Sequence, residues 1–455
     1  MVDNNIDNTV DKRTALGIIS IGFISFSGII SETSMNVAFP SLMKFFNVSL
    51  NTVQGLTSFY LLDVAIVMTL SAFLKQKFLE RQLFFMALGS FLLGSIICIF
   101  SINFPMLLLG RLFQGISTGI GTPLLFNVIL ERIPHKVIGL WMGIGSLIIS
   151  IAPSIGPSYG GLLVSTAGWR WIFIGLLTLP IIALFIGNRN LSNSIRIKNI
   201  VKLDLVAFIL LSTTLTSFIL GINSIAKGNI NIVLLIVFLL ALGMYIWRSL
   251  TSSKTFLNIR IFSNSFFSFS LLFFGIYQFS NLAVNFIIPI FLENSKGTGS
   301  LLAGFSMLPG TLIGALFNPK VGKLYDAKGP KLGIIFGNVL LVISLSFLSI
   351  NTGQLSFLTI MFLYIGFTVG RNFPMNTIIT NTLDKISLSD KTNANAFFQT
   401  TNQFLGSLGT SVASLVVSNS ISLEKGTHNL FILLLCLALF NFIGVFKILN
   451  KKSLD

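Results

Sequence analysis

The sequence predicts an all-α integral membrane protein in which two six-helix bundles flank two inserted helices, fourteen spans in all. Composition, the spacing of apolar runs and the placement of basic residues carry that reading. Of 455 residues, 53% are hydrophobic and 10% charged, with a mean hydropathy of +0.88, whereas soluble chains carry about 25% charged residues. A spanning helix takes roughly 20 apolar residues, so the length holds a dozen or more spans and leaves no room for a sizeable soluble catalytic domain.

Apolar runs bounded by charged or turn-forming clusters place spans at 15–37, 52–74, 82–102, 105–130, 137–164 and 170–187. Two more follow at 203–222 and 230–250, then six at 264–291, 300–321, 331–350, 356–381, 392–418 and 429–448. The expected divisions are a tail over 1–14, a bundle over 15–187, an insert with flanking polar stretches over 188–263, a bundle over 264–448 and a tail over 449–455. The first span has no cleavage site after it and reads as a retained helix rather than a signal peptide.

An even count puts both termini on one side. With that side taken as cytoplasmic, 23 of the 30 Lys and Arg fall in inner segments and 5 in outer ones, with Arg111 and Arg371 inside spans. This is the positive-inside pattern. The net charge of +16 is therefore a topology signal spread over eight short segments, and a nucleic-acid partner is not expected.

Ionisable residues within a span are costly and by default functional. Asp204 and Glu293 fall near span ends, and the two acids left in the interior are Glu32 and Asp63. Low-dielectric burial shifts a carboxyl group toward titrating near neutral pH, which suits such an acid to proton exchange; the alternative is a carboxylate that locks two helices through Ser and Asn. Arg111 and Arg371 each need a partner if buried, and Glu32 or Asp63 is the natural candidate for at least one. A structural pin is the alternative for Arg111, and for Arg371 both readings stand. In the fifth span Pro153, Gly156, Pro157, Gly160 and Gly161 crowd together, as in a hinge or a kinked packing helix.

Cys98 and Cys436 lie in apolar runs and read as core thiols. With no phosphate-loop pattern, no nucleophile elbow, and His135 and His428 far apart, no enzymatic activity, catalytic residue or metal site is expected.

The motifs point to a family. SETSMNVAFP (Ser31 to Pro40), LGRLFQGISTG (Leu109 to Gly119), APSIGPSYGG (Ala152 to Gly161), GWRWIF (Gly168 to Phe173), GKLYDAKGPK (Gly322 to Lys331) and NQFLGSLGTSVA (Asn402 to Ala413) occur in order. Together they resemble the fourteen-span drug/proton antiporters of the major facilitator superfamily. The counterpart of the GKLYDAKGPK loop in the first half is degraded, with Gln76 and Leu79 where an acid and a glycine are expected. The resemblance implies the major facilitator fold, rocking about a midplane cavity. It also implies coupling and binding roles for Glu32 and Arg111, a leak-preventing fifth span, and a cytoplasmic gate at Gly322, Asp326, Gly329 and Lys331.

Joined to the intramembrane reading, the expected proton-coupling set is Glu32, Asp63 and Arg111. The expected substrate contacts are Glu32, Asn36, Asp63, Gln114 and Arg371. The expected function is proton-driven export of amphipathic drugs or toxic compounds across a bacterial cytoplasmic membrane by a monomer embedded in the bilayer. The transmembrane proton gradient supplies the energy, no cofactor is needed, and both termini are cytoplasmic. The alternatives are a dedicated exporter of one antibiotic, metabolite or lipid, then an uptake symporter. A tag at either terminus should be shielded from protease in intact cells and cleaved once the membrane is opened; cleavage from outside would contradict the topology.

Overall fold

The computed structural model describes residues 10–134, 137–191, 203–226, 230–252, 257, 259–350 and 352–449. Helices and short turns account for these residues, with no strand among them. The helices are α1 (Lys12–Phe46), α2 (Leu50–Thr69), α3 (Ser71–Lys77), α4 (Glu80–Ile99), α5 (Phe104–Arg132), α6 (Ile138–Thr166), α7 (Arg170–Leu176), α8 (Thr178–Asn190) and α9 (Leu205–Ala226). They continue as α10 (Ile232–Thr251), α11 (Ser265–Lys296), α12 (Ser300–Phe305), α13 (Leu308–Lys328), α14 (Pro330–Ile350), α15 (Phe357–Lys385), α16 (Leu388–Ser418) and α17 (Leu423–Leu449). The sixth and tenth spans are each two pieces, α7 with α8 and α12 with α13, so the chain makes fourteen crossings with α3 as a short extra. His135, Lys136, most of both tails and most of the polar stretches beside the insert lie outside the described residues.

Twelve crossings are apolar and long enough to span a membrane. The other two, α15 and α16, are long enough but carry Arg371 and many Asn, Thr and Gln residues. A helix that keeps water-loving groups inside a bundle has low hydropathy where it does the most.

The turns are short and locally specified. Asn47 closes α1 in the left-handed conformation (φ 51°), and Ser49 caps α2 by accepting from the Thr52 amide at 3.4 Å. Asn103 caps α5 through the Met106 amide at 2.9 Å and Asn264 caps α11 through Phe266 at 3.0 Å; such side chains satisfy donors that a helix start leaves open. Residues 47–49, 100–103, 167–169, 297–299 and 419–422 are short connections between crossings at the end of the bundle remote from the termini, called the distal end below.

The two halves close against each other distally. Between α2 and α16, Gln54 donates to Thr410 and Ser411 at 3.1 Å each, Ser407 donates to the Ser58 carbonyl at 2.7 Å, and Ser414 and Ser418 donate to Asn51 at 2.5 and 2.9 Å. On the opposite side α6 meets α1 and α12. A Cβ on Gly160 would fall 2.5 Å from the Ser34 carbonyl oxygen, and one on Gly156 would collide with Thr33. Gly161 rests on the Ser300 backbone and Gly304 on the Pro157 carbonyl, so the expected hinge residues form a small-residue seam that lets α6 touch both halves. α6 continues unbroken through Pro153 and Pro157.

At the terminal end the halves part around a cleft. Beside it, Lys75 pairs with Glu131 at 2.5 Å, and Arg132 holds Glu80 through Nη2 at 2.5 Å and Nε at 3.3 Å. The degraded first-half loop is thus anchored to the end of α5 by ion pairs. In the second half Tyr325 donates to Asp384 at 2.8 Å. Gly329 ends α13 with φ 70°, Gly322 has open space around it, Lys331 is exposed, and the Asp326 side chain lies outside the described residues.

In the insert, α9 packs on α10, α2 and α16, with Phe218 5.1 Å from Phe238 and 5.9 Å from Phe404. Asp204, placed by sequence at a span border, is buried and paired with Arg248 at 2.9 Å. One thiol corrects the sequence reading: Cys98 is buried, but Cys436 is exposed because it faces outward from α17.

Gly304→Val would drive a side chain into the Pro157 carbonyl and push α12 off α6. Labelling of a cysteine at buried Ser158 by a membrane-impermeant thiol reagent from the distal side should then rise about tenfold, a shift of about 1.4 kcal/mol. Unchanged labelling would mean that this contact does not hold the distal side shut.

Candidate functional site

Arg111 is 0% exposed. It reaches that depth because Gly94 and Gly110 bring α4 and α5 into backbone contact: a Cβ on Gly94 would lie 2.5 Å from the Gly110 carbonyl oxygen. Its Nη1 donates to Ser31 Oγ at 2.6 Å and Gln114 Oε1 at 2.8 Å, and the guanidinium lies 4.1 Å from the centre of the Tyr60 ring. Gln114 passes the chain on to Ser95 at 2.8 Å, and the Tyr60 hydroxyl donates to the Gly28 carbonyl at 2.9 Å and lies 2.6 Å from Thr118 Oγ1.

The sequence reading offered Glu32 or Asp63 as the partner of at least one of Arg111 and Arg371, and the structure pairs neither carboxylate with Arg111. Its acceptors are neutral, it forms no ion pair with Glu32 or Asp63, and its Nε and Nη2 are buried without an acceptor. Glu32 is buried on α1 one residue past Ser31 and interacts with Arg111 through charge at longer range. Asp63, half-buried on α2, lies against α5: its Oδ2 has no partner and sits 2.5 Å from where a Cβ on Gly115 would be. Gly115, in the fourth-span motif, is therefore the space into which the Asp63 carboxyl fits.

Asn36 links this half to the other. It accepts from Thr57 at 3.1 Å and donates to the Asn285 carbonyl at 3.4 Å. Pro289, four residues on in α11, has no N–H, so that carbonyl lacks its helical donor. Asn285 Oδ1 in turn accepts from Tyr364 at 2.6 Å.

Arg371 stands in the second half much as Arg111 does in the first. Each follows a glycine in contact with a glycine of the preceding span, Gly370 on Gly337 as Gly110 on Gly94. Its donors go to Asn372 at 2.5 Å, Gln278 at 3.4 Å and Met375 Sδ at 3.3 Å, and Nε has no acceptor.

None of the five expected substrate contacts lines the terminal cleft, although Arg371 bonds to Met375, which does. The cleft has a volume of about 490 Å³, within the usual range for small-molecule sites. Its walls are aromatic (Phe126, Phe274, Phe398) and amide or hydroxyl (Asn318, Gln399, Asn402), with no charged side chain among the described lining residues. Sequence reasoning missed these residues, yet a signal existed. Asn395, Gln399 and Asn402 recur at helical spacing on one face of α16, and Asn402 Oδ1 is buried without a donor.

Residues 21–410 match the profile of the Major Facilitator Superfamily. The chain belongs to the Major Facilitator Superfamily. Superfamily relatives include the lincomycin resistance protein LmrB of Listeria innocua serovar 6a, 33% identical over 88% of this chain and 86% of that protein. Another is the putative multidrug resistance protein MdtD of Yersinia pseudotuberculosis, 25% identical over 93% of this chain and 91% of that one. The crystal structure of a POT family transporter in complex with a thioalcohol-conjugated peptide superposes with a TM-score of 0.71 over 96% of this chain and 97% of that one, at 15% identity. That likeness is one of fold. Superfamily membership makes the chain a multi-pass membrane transport protein and not an enzyme.

Gly115→Ala should force the Asp63 carboxyl out of its niche, destabilise the protein by about 1–3 kcal/mol through overpacking, and impair transport. Adding Asp63→Ala should restore the melting temperature without restoring transport. A Gly115→Ala protein with parental Tm and activity would show that the niche is not needed.

Proposed function

We propose that the chain is a proton-driven exporter of amphipathic organic compounds from a bacterial cytoplasm, with its terminal end cytoplasmic. The observation that carries this is the combination of an uncharged, aromatic-and-amide cleft with two acids at membrane depth that have no ion partner. The cleft suits a molecule with an apolar body and a few polar groups. Glu32 and Asp63, without fixed counterions, are able to exchange protons, while Arg111 supplies a fixed positive charge beside them. The names of the relatives, one for lincomycin resistance and one for putative multidrug resistance, support a drug cargo.

In this mechanism a substrate enters the cleft while the distal seams are closed, and its polar groups bind Asn402, Gln399 and Asn318. Arg371, next to the cleft through Met375, and Gln114 and Asn36, within the polar chains described above, respond as the halves rock. Protons arriving from the distal side load Glu32 and Asp63 and favour substrate release; their loss to the cytoplasm resets the site. The small-residue seam of α6 keeps the distal side sealed meanwhile, and Gly322, Asp326, Gly329 and Lys331 form the cytoplasmic gate. The transporter works as a monomer, and the gradient replaces any cofactor.

A growth-inhibition panel in a drug-sensitive bacterium tests this. Expression should raise tolerance several-fold to more than one amphipathic compound, and a protonophore should remove the effect. Glu32→Gln should abolish export with membrane insertion intact, and Glu32→Asp should keep part of it. Export that survives gradient collapse would overturn the proposal; export that survives Glu32→Gln but not Asp63→Asn would move the proton site to α2. Tolerance to a single compound would point to a dedicated exporter.

A further inference from the structure

Many hydroxyls in the spans turn back on their own helices, as Ser34 does to the Ile30 carbonyl, Thr214 to Leu210 and Thr377 to Phe373, each at 2.7 Å. Such a bond uses the hydroxyl within the helix. Around the terminal cleft several polar side chains are not used in this way. Ser146 and Ser150, one turn apart on α6, line the cleft and their hydroxyls bond to no other described residue. On α5 the Thr122 hydroxyl, also in the lining, has no partner.

The second half presents amides in the same uncommitted state. Asn318 and Asn376 are tied to each other at 3.0 Å. Asn395, Gln399 and Asn402 on one face of α16 bond to no other described residue, and Asn395 and Gln399 are exposed. The apolar part of the lining comes from both halves as well. Phe398 packs edge-on against Phe274 with ring centres 5.1 Å apart, and half-buried Phe126 of α5 pairs with no other described ring.

The chemistry of these groups specifies what completes them. An amide carries a donor and an acceptor side by side, and a hydroxyl donates and accepts through one oxygen. Neighbouring hydroxyls of a polyol meet both, accepting from an amide N–H while donating to its carbonyl oxygen. A ligand without such groups displaces water from the side chains and leaves them unpaired, which is how a hydrogen-bonding site rejects an analogue that lacks the hydroxyl.

A cationic ligand finds no countercharge here. Among the described residues, the charges that bond to the lining are Arg371, at Met375, and Asp384, at Tyr325. The guanidinium repels a cation. Asp384 is exposed, so solvent and salt screen its carboxylate.

We infer that the cleft selects uncharged polyhydroxylated amphiphiles, compounds of glycoside type, over organic cations. The α16 amides and the α6 hydroxyls bind the polyol, and Phe126 and Phe398 cover the apolar portion. The inference rests on the exporter reading in taking the terminal cleft as the cargo site.

The test is equilibrium dialysis of two probes with the same aromatic body against the purified full chain in nanodiscs, with empty nanodiscs as the blank. One is naphthyl β-D-glucoside, which is uncharged, and the other is the naphthylmethyl-trimethylammonium cation. The glucoside should bind saturably and about tenfold more tightly than the cation. Gln399→Leu and, separately, Asn395→Leu should each weaken glucoside binding about five- to tenfold, the scale of a lost hydrogen bond, with Tm and cation binding unchanged. No saturable binding of the glucoside, or cation binding as tight as the glucoside's, would overturn the inference. So would both variants binding the glucoside as the parent does. The measurement uses no gradient and no growth readout, so failure of the exporter reading would appear separately, as unchanged drug tolerance beside an intact preference for the glucoside.

Discussion

Inside a bilayer no water is available to satisfy a polar group, so each one must find its partner within the protein. The architecture follows from how this chain meets that constraint. Where a proline removes a helical donor, as Pro289 does, the released carbonyl of Asn285 is taken by Asn36 of the other half. Where α2 and α16 run side by side, hydroxyls and amides on one helix find acceptors on the other. These bonds cross between the halves, and each is individually weak.

The two halves share a framework but not a chemistry. Both place an arginine behind a glycine-glycine contact, Arg111 buried and Arg371 half-buried, and both begin with a helix bearing Asn and Pro at the same spacing. With α1 and α11 aligned on those residues, the position of Glu32 is occupied in the second half by Asn281. Asn281 is neutral and accepts from Asn285 at 3.4 Å. The acids at membrane depth thus belong to the first half, together with the arginine whose neutral partners leave two N–H groups open. The second half instead contributes most of the uncharged walls of the cleft. Buried acids and uncharged cleft walls thus fall mainly in different bundles built on one plan.

Much of this was legible in the sequence, because the bilayer imposes simple rules on it. Fourteen apolar runs and the alternation of basic loops are what lipid requires, and the crossings follow them. The glycines Gly156, Gly160 and Gly161 of α6, which stand out in the sequence, lie at close approaches to α1 and α12, since only residues without bulk leave backbone touching backbone. What stayed hidden depends on side-chain packing across helices. Nothing in a run of residues says that Ser31 and Gln114 satisfy Arg111 in place of a carboxylate, or that Asp63 fits the gap left by Gly115. The cleft was missed for a different reason: the run over 392–418 was read only as a span, and its Asn and Gln residues were not weighed as a binding face.

The brevity of the distal turns limits what rearrangement is available. Three residues between Phe46 and Leu50 give a tether of at most roughly 14 Å between those two Cα atoms, and the connections over 100–103, 167–169, 297–299 and 419–422 are of similar length. Neighbouring crossings are therefore leashed in pairs at that end, and no single helix can swing away alone. Any opening has to transport whole hairpins, which converts a few local bond exchanges at the seam into a displacement shared by an entire bundle.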